Sequence, residues 1–161
     1  MKKNRQLSDA LHVLLHMAED SRPLTSEALA AAMRTNPVVL RRLMGGLRDA
    51  GLVASEKGHG GGWLLCCSLE GITLGDVYQA LGAPNLISLG FREERPTCLV
   101  ALVVNEALGD AAREAESLLL RRFEGITLSE LSLDFQGRMA DLKGKERSLT
   151  HRLKDHFHEN I

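Results

Sequence analysis

Aromatic residues are scarce in this chain of 161 residues, where Phe, Trp and Tyr together make up 4%. Aliphatic side chains must therefore build the core, which favours helices over a β-sandwich or barrel. No apolar run reaches the roughly 18 residues of a transmembrane helix. The basic N-terminus is not followed by the apolar segment of a signal peptide. We therefore predict a mainly α-helical cytoplasmic protein with no membrane partner.

Cysteines are also few, and their odd number of three argues against a disulfide framework. Catalytic motifs are missing as well: no nucleophile–base pair or HExxH pattern occurs, and the glycine-rich run 58–62 lacks the Lys-Ser/Thr of a phosphate-binding loop. These absences predict a protein with reduced thiols that is not an enzyme.

Charge is distributed unevenly along the chain. Residues 1–67 contain nine Lys or Arg and six Asp or Glu, whereas residues 68–161 contain eleven and fifteen. A basic first part followed by an acidic second part fits an anion-binding module joined to an interaction module. The excess is small, so it supports nucleic-acid binding only together with other features.

Helical periodicity and capping residues predict three short helices in the first part, at about 8–19, 26–33 and 37–49. Ser8 can cap the first helix, Thr25 or Ser26 the second, and Asn36 the third, with Pro37 at its first position. The third helix should bury one stripe and leave Arg41 and Arg42 on the other side. That stripe comprises Val39, Leu40, Leu43, Met44 and Leu47.

A β-hairpin should follow, with strands at about 52–56 and 63–67 around the glycine-rich turn, and then a helix capped by Thr73 and Asp76. Three helices and a hairpin are the layout of a winged helix-turn-helix. We predict this DNA-binding domain at 1–82, a loop at 83–97, a long helix and short capped turn at 98–133, and a charged tail at 134–161 that can be helical.

The long helix carries an extended apolar side. About 26 residues at 1.5 Å each span about 39 Å, which exceeds what a domain of some 80 residues can cover. The helix could be a core element, but its apolar side favours a dimer interface. That side comprises Leu99, Leu102, Val103, Leu108, Ala111, Ala115, Leu118, Leu119 and Phe123.

The order of these elements suits recognition of double-stranded DNA. A helix fits the major groove, and side chains near its N-terminus read base edges. The residues in that position are Asn36, Val38, Val39, Arg41 and Arg42. Lys57, Gly58 and His59 at the hairpin tip can approach the backbone or the minor groove. Either feature alone could be a solvated face or a tight turn, but together they favour DNA.

Five segments, at 7–11, 36–42, 47–53, 58–63 and 72–78, resemble in order the signatures of the Rrf-two family of winged helix-turn-helix regulators. The resemblance covers about residues 5–130. It implies a cytoplasmic bacterial homodimer that binds a near-palindromic operator, and we expect this chain to be a repressor. It also implies that the third helix enters the major groove, that the wing touches the minor groove, and that the long helix crosses its partner.

The sequence does not identify the effector. The family's iron–sulfur branches have three cysteines before the long helix, whereas this chain has only Cys98 there. A cluster takes four ligands, mostly thiolates, so we expect no cluster and no cofactor. Residues 96–100 resemble the YwnA-like branch, whose lone cysteine is associated with redox or electrophile sensing. A thiol at a helix start has a lowered pKa.

Three alternatives stay open: Cys98 as a packing residue, a small-molecule effector bound between the long helix and the DNA-binding unit, and a protein-interaction module without DNA binding. Cys66 and Cys67 on the returning strand should point to opposite faces as small apolar residues. His12 and His16 form an i, i+4 pair that can bind zinc, but no further ligand lies nearby in sequence. We therefore predict a surface or interface pair and no metal site.

Overall fold

The computed structural model describes residues 5–20, 22–58, 61–90 and 98–158, with side chains up to residue 143. In chain order the elements are α1 (Gln6–Ala18), α2 (Ser26–Ala32), α3 (Pro37–Asp49), β1 (Val53–Glu56), β2 (Gly62–Leu65), a 3-10 turn (Leu69–Gly71), α4 (Leu74–Ala80), α5 (Leu99–Glu124) and α6 (Leu128–His158). The predicted fold class, mainly α with a two-stranded hairpin wing, is confirmed.

The core lies between α1, α2, α3 and α4, and the start of α6 closes it. Helix α1 supplies four buried side chains, and Leu128 at the start of α6 is fully buried. The chain reaches this position because the segment before α6 pairs with the segment before α4. The Leu128 N–H donates to the Ile72 carbonyl at 2.9 Å, and the Leu74 N–H donates to the Ile126 carbonyl at 2.9 Å. The end of α5 is thereby fixed to the DNA-binding unit.

The wing is an antiparallel pair that is anchored at its base. Strands β1 and β2 pair from Val53 opposite Leu65 to Glu56 opposite Gly62. Leu24 adds a β-bridge to Trp63, with N–H to carbonyl distances of 2.8 and 3.1 Å. The Trp63 indole packs against the core and donates to Ser26 Oγ at 3.0 Å.

Three local predictions about capping and burial are wrong. Helix α1 begins at Gln6 with Arg5 as N-cap, so Ser8 lies inside the helix. Val39 is 60% exposed and not part of the buried stripe, because the face of α3 turned to the core is narrower and centred on Leu40, Met44 and Leu47. Strand β2 ends at Leu65, so Cys66 and Cys67 lie beyond it and both are exposed.

In the C-terminal region the predicted short turn and the charged tail, which the sequence allowed to be helical, form one continuous helix. The predicted capping box is present, since the N–H groups of Thr127 and Glu130 each bond the other's side chain at 3.2 Å. The helix that it starts then continues to His158. No proline interrupts the segment, and isolated glycines such as Gly137 are tolerated within a helix. None of the helices in the described part of the chain has the length and apolar character needed to cross a membrane.

Candidate nucleic-acid interface

Helix α3 presents its first turn to solvent while its opposite face is held in the core. Asn36 caps the helix, with its Oδ1 accepting from the Val38 N–H at 2.8 Å. Val38 and Val39 are 68% and 60% exposed, although apolar residues of this size usually lie inside. Leu40, Met44 and Leu47 are buried on the other side and fix the orientation of the helix. The structure therefore leaves an apolar pair on the surface at the end of α3 where base readout would occur.

Two arginines follow on the exposed side, but they differ in their partners. Arg41 forms an ion pair with Glu27 of α2, which holds the guanidinium along the α2–α3 surface. Arg42 is exposed and forms no ion pair with any residue that the structure describes. Sequence reasoning grouped the two arginines and missed Glu27, which lies 14 positions before Arg41. Arg42 is thus the arginine that is available to an external anion.

The wing tip carries the second group of predicted contacts. Lys57 is exposed and has no ion pair within the described part of the chain, so its ammonium group faces solvent. Gly58 has a φ of 109°, a conformation that L side chains rarely adopt. The predicted contact residue His59 lies outside the described residues. The wing therefore offers a cation next to Gly58, a residue without a side chain.

Cys98 occupies the N-cap of α5 and is exposed. Its thiol makes no capping hydrogen bond in the resting geometry. The backbone N–H groups of Ala101 and Val100 nevertheless lower the pKa of the thiol, because they stabilise the thiolate. Arg92 and Arg95, which could add to this effect, lie outside the described residues.

The thiols do not match the ligand set of an iron–sulfur cluster. Such clusters are held by about four ligands, mostly cysteine thiolates. This chain has three cysteines, two of them at the end of the wing and one at the start of α5. Across the residues described here, no three His, Cys, Asp or Glu side chains converge on one point. The donor set therefore does not fit a cysteine-ligated cluster within one chain.

Helix α5 has no buried residue along its 26 positions. Its C-terminal half contacts α4, where the rings of Phe123 and Tyr78 lie 6.3 Å apart. The Glu116 carboxylate accepts from the Leu86 N–H at 3.0 Å and holds the loop after α4. The exposed apolar residues continue from α5 onto α6. They are Leu99, Val100, Leu102, Val103, Val104, Leu108, Leu118, Leu119, Leu133, Phe135, Met139 and Leu142.

A largely apolar cleft of about 530 Å³ lies between α1, α4 and the end of α5. Leu7 and Leu11 form one wall, and Leu74, Leu86 and Phe123 form the other. Its volume falls within the range of small-molecule sites. The cleft thus lies between the long helix and the unit formed by α1–α4, where the small-molecule alternative places its ligand.

Comparison with known proteins agrees with this architecture. The chain is 41% identical over 83 residues to a Bacillus subtilis protein named as an HTH-type transcriptional regulator, YwgB, a match that covers 50% of this chain and 53% of YwgB. It is 26% identical over 128 residues to YwnA, named likewise and from the same organism, with 80% of this chain and 95% of YwnA covered. The chain thus spans about half the length of YwgB and almost all of YwnA.

Among solved structures, a transcriptional regulator from Lactobacillus plantarum superposes with a TM-score of 0.70 at 24% identity, covering 89% of this chain and 98% of that one. At this identity the likeness supports the fold. Residues 3–134 match the Rrf2 family, described as an iron-dependent transcriptional regulator. The match covers most of the chain and confirms the predicted family. The chain therefore belongs to the Rrf2 (Rrf-two) family of winged helix-turn-helix transcriptional regulators.

Proposed function

We propose that this DNA-binding regulator is a cytoplasmic homodimeric repressor that reads its operator with the first turn of α3 and holds the flanking backbone with its wing. The exposed Val38–Val39 pair, on a helix anchored by its opposite face, is the observation that carries this proposal. Apolar side chains in the major groove contact the thymine methyl group, which distinguishes thymine from the other bases.

Each remaining contact follows from the chemistry of its residue. The Asn36 Oδ1 is occupied by the helix cap, which leaves its amide NH₂ to donate to a base or phosphate. Arg42 has the planar donor set that pairs with guanine or with a phosphate. Arg41 contacts DNA after exchanging Glu27 for a phosphate. Lys57, with Gly58 and His59, contacts the sugar-phosphate backbone at the wing.

The dimer is proposed from the exposed apolar residues of α5 and α6. A helix without a buried residue obtains little stability from its own chain, and large exposed apolar side chains along two helices favour an interaction site. A second copy covers this surface in a two-fold assembly and places the two α3 helices about 34–36 Å apart, one turn of DNA.

The DNA contacts are tested by fluorescence anisotropy with DNA from upstream of the protein's own gene. Arg42→Ala should weaken binding by at least roughly tenfold and reduce the salt slope by about two, because the homodimer loses one contact to the DNA in each half-site. Arg113→Ala, which removes an exposed arginine from α5, is the matched control and should leave affinity unchanged. Equal affinities of wild type and Arg42→Ala would contradict the proposed role of Arg42 on α3.

The dimer is tested by sedimentation equilibrium of wild type and Val103→Asp. A carboxylate placed in the proposed interface would lose its solvation without a partner, so the variant should sediment as a monomer. A monomeric wild type at all concentrations would refute the dimer. Far-UV circular dichroism of the variant checks that its helices are intact.

We propose that the effector is an oxidant and that Cys98 is the residue that senses it. Hydrogen peroxide transfers one oxygen atom to the thiolate, which gives a sulfenic acid and hydroxide. We expect this change at the start of α5 to lower DNA affinity in wild type and to have no effect in Cys98→Ser. The cleft supports a second candidate, a small apolar ligand. If peroxide leaves the DNA affinity of wild type unchanged, the next test is to screen small apolar ligands for binding to wild type. Leu11→Trp, which places a larger side chain in the cleft, serves as the comparison.

A further inference from the structure

Two histidines on the outer side of α1 converge on one point. The Nε2 atoms of His12 and His16 are 3.0 Å apart, and their ring centroids are 4.7 Å apart with a tilt of 34°. Both side chains are exposed. The other side of the helix is fixed, because Ala10, Val13, Leu14 and Met17 are buried there. The two ring nitrogens therefore meet at the surface without any movement of the backbone.

We propose that His12 and His16 form a two-nitrogen chelating site for a divalent transition-metal cation. Metal–imidazole bonds of about 2.0–2.1 Å that span 3.0 Å between the nitrogens give an angle of about 94° at the metal. This angle is close to that of neighbouring ligands in square-planar and octahedral complexes and smaller than the tetrahedral angle. The geometry thus favours Ni²⁺ or Cu²⁺ over Zn²⁺, with water at the remaining positions.

The two imidazoles must be neutral to bind a cation, because a protonated ring nitrogen has no lone pair to donate. Without metal the two Nε2 atoms share one hydrogen bond, so one of the rings carries its proton on Nε2. When the cation enters, that proton moves to Nδ1 of the same ring by exchange with water, and the lone pairs of both Nε2 atoms become available.

Sequence spacing alone favoured a surface pair without metal, since no third ligand was apparent. The structure agrees that no third His, Cys, Asp or Glu joins the pair among the described residues. The distance between the ring nitrogens is the new information, because 3.0 Å lies within the span of two ligands of one cation. The inference does not depend on DNA binding or on Cys98.

The test is isothermal titration calorimetry with NiCl₂ on the full chain after its thiols have been blocked with iodoacetamide. All three cysteines are exposed, so they can be blocked and thereby removed as competing ligands. We expect one Ni²⁺ per chain at the pair. His12→Gln and His16→Gln should each lower the affinity by about a hundredfold, because chelation is lost. His151→Gln, a histidine outside α1, is the matched control and should bind as wild type does.

A second readout separates lost binding from lost folding. In EDTA, the urea midpoints of both α1 variants should equal that of wild type, since the side chains are exposed. Added Ni²⁺ should raise the midpoint of wild type and of His151→Gln, but not of His12→Gln or His16→Gln. The proposal is overturned if Ni²⁺ does not bind, or if His151→Gln abolishes binding while the α1 variants retain it.

Discussion

Helices α1 and α5 differ in how the same chain covers them. Helix α1 has 13 residues and four of them are buried, whereas α5 has 26 residues and none is buried. The stability of the DNA-binding unit therefore comes from packing within one chain. Helix α5 keeps exposed apolar side chains along its length, and these belong to the proposed dimer interface. If that interface forms, the first half of the protein supplies the folded core and the second half supplies the assembly.

The largest expected effect is a loss of unfolding free energy when a leucine of α1 is replaced, compared with the same replacement in α5. Leu14→Ala should lower the free energy of unfolding by about 2–5 kcal/mol, because Leu14 is fully buried and the change leaves a cavity. Leu118→Ala should cost less than about 0.5 kcal/mol at low protein concentration, since Leu118 is 63% exposed in one protomer.

Urea unfolding at two protein concentrations checks both expectations. If α5 is an interface, the loss of unfolding free energy caused by Leu118→Ala should grow with protein concentration. The loss caused by Leu14→Ala should be the same at both concentrations. Equal costs for both leucines in dilute solution would mean that α5 is stabilised within its own chain.

The next prediction compares two N-cap residues, one of which is also a proposed DNA contact. Thr25 and Asn36 cap α2 and α3 through hydrogen bonds of 3.1 and 2.8 Å, so replacing either by alanine should cost about 1 kcal/mol of unfolding free energy. Only Asn36→Ala should also weaken operator binding. A similar loss of affinity in Thr25→Ala would show that the caps act on DNA binding through stability alone.

The next prediction concerns the rate at which Cys98, at the start of α5, reacts with an alkylating reagent. Because the pKa of the Cys98 thiol is lowered, Cys98 should have a larger thiolate fraction at pH 7 than an ordinary cysteine and should be the first of the three cysteines to react with iodoacetamide. All three thiols are exposed, so access does not distinguish them. The advantage of Cys98 should shrink as the pH rises above about 8.5, the ordinary pKa of a cysteine thiol. Peptide mapping by mass spectrometry measures each site, and equal rates at pH 7 would remove this support for Cys98 as the sensor.

The smallest effect is expected from Glu27→Gln. The Glu27–Arg41 ion pair is exposed, so its loss should change the unfolding free energy by less than about 1 kcal/mol. DNA affinity should rise modestly, because Arg41 is released and one negative charge near α3 is removed. Asp110→Asn, which releases Arg113 on α5, is the control and should leave affinity unchanged. A lower affinity in Glu27→Gln would instead assign Glu27 the role of positioning Arg41 for DNA.

Sequence patterns predicted those features that depend on neighbouring residues. The Asn36–Pro37 start of α3 and the Thr73–Asp76 capping box are such features, because their hydrogen bonds join residues two or three positions apart. Helical periodicity likewise marked the apolar side of α5. Periodicity does not tell whether the same chain or another one covers that side.

Features that depend on tertiary packing could not be predicted in this way. The exposure of Val39 depends on how α3 rests on the core, and the Glu27–Arg41 pair depends on how α2 meets α3. The spacing of His12 and His16 showed that the rings share a face, but the distance between their nitrogens depends on side-chain rotamers. The extent of α6 was missed because its charged composition resembles that of a tail.

The contact between Gly62 and Leu24 has a mechanical consequence. A side chain at Gly62 would place its Cβ 2.6 Å from the Leu24 carbonyl oxygen, so only glycine allows this approach of the two backbones. The base of the wing is thereby held close to the segment that leads into α2. If this contact keeps the wing at a fixed distance from α3, the DNA has to adapt its groove width to the protein. We then expect operator sequences that narrow or widen easily to be favoured at positions that no side chain touches.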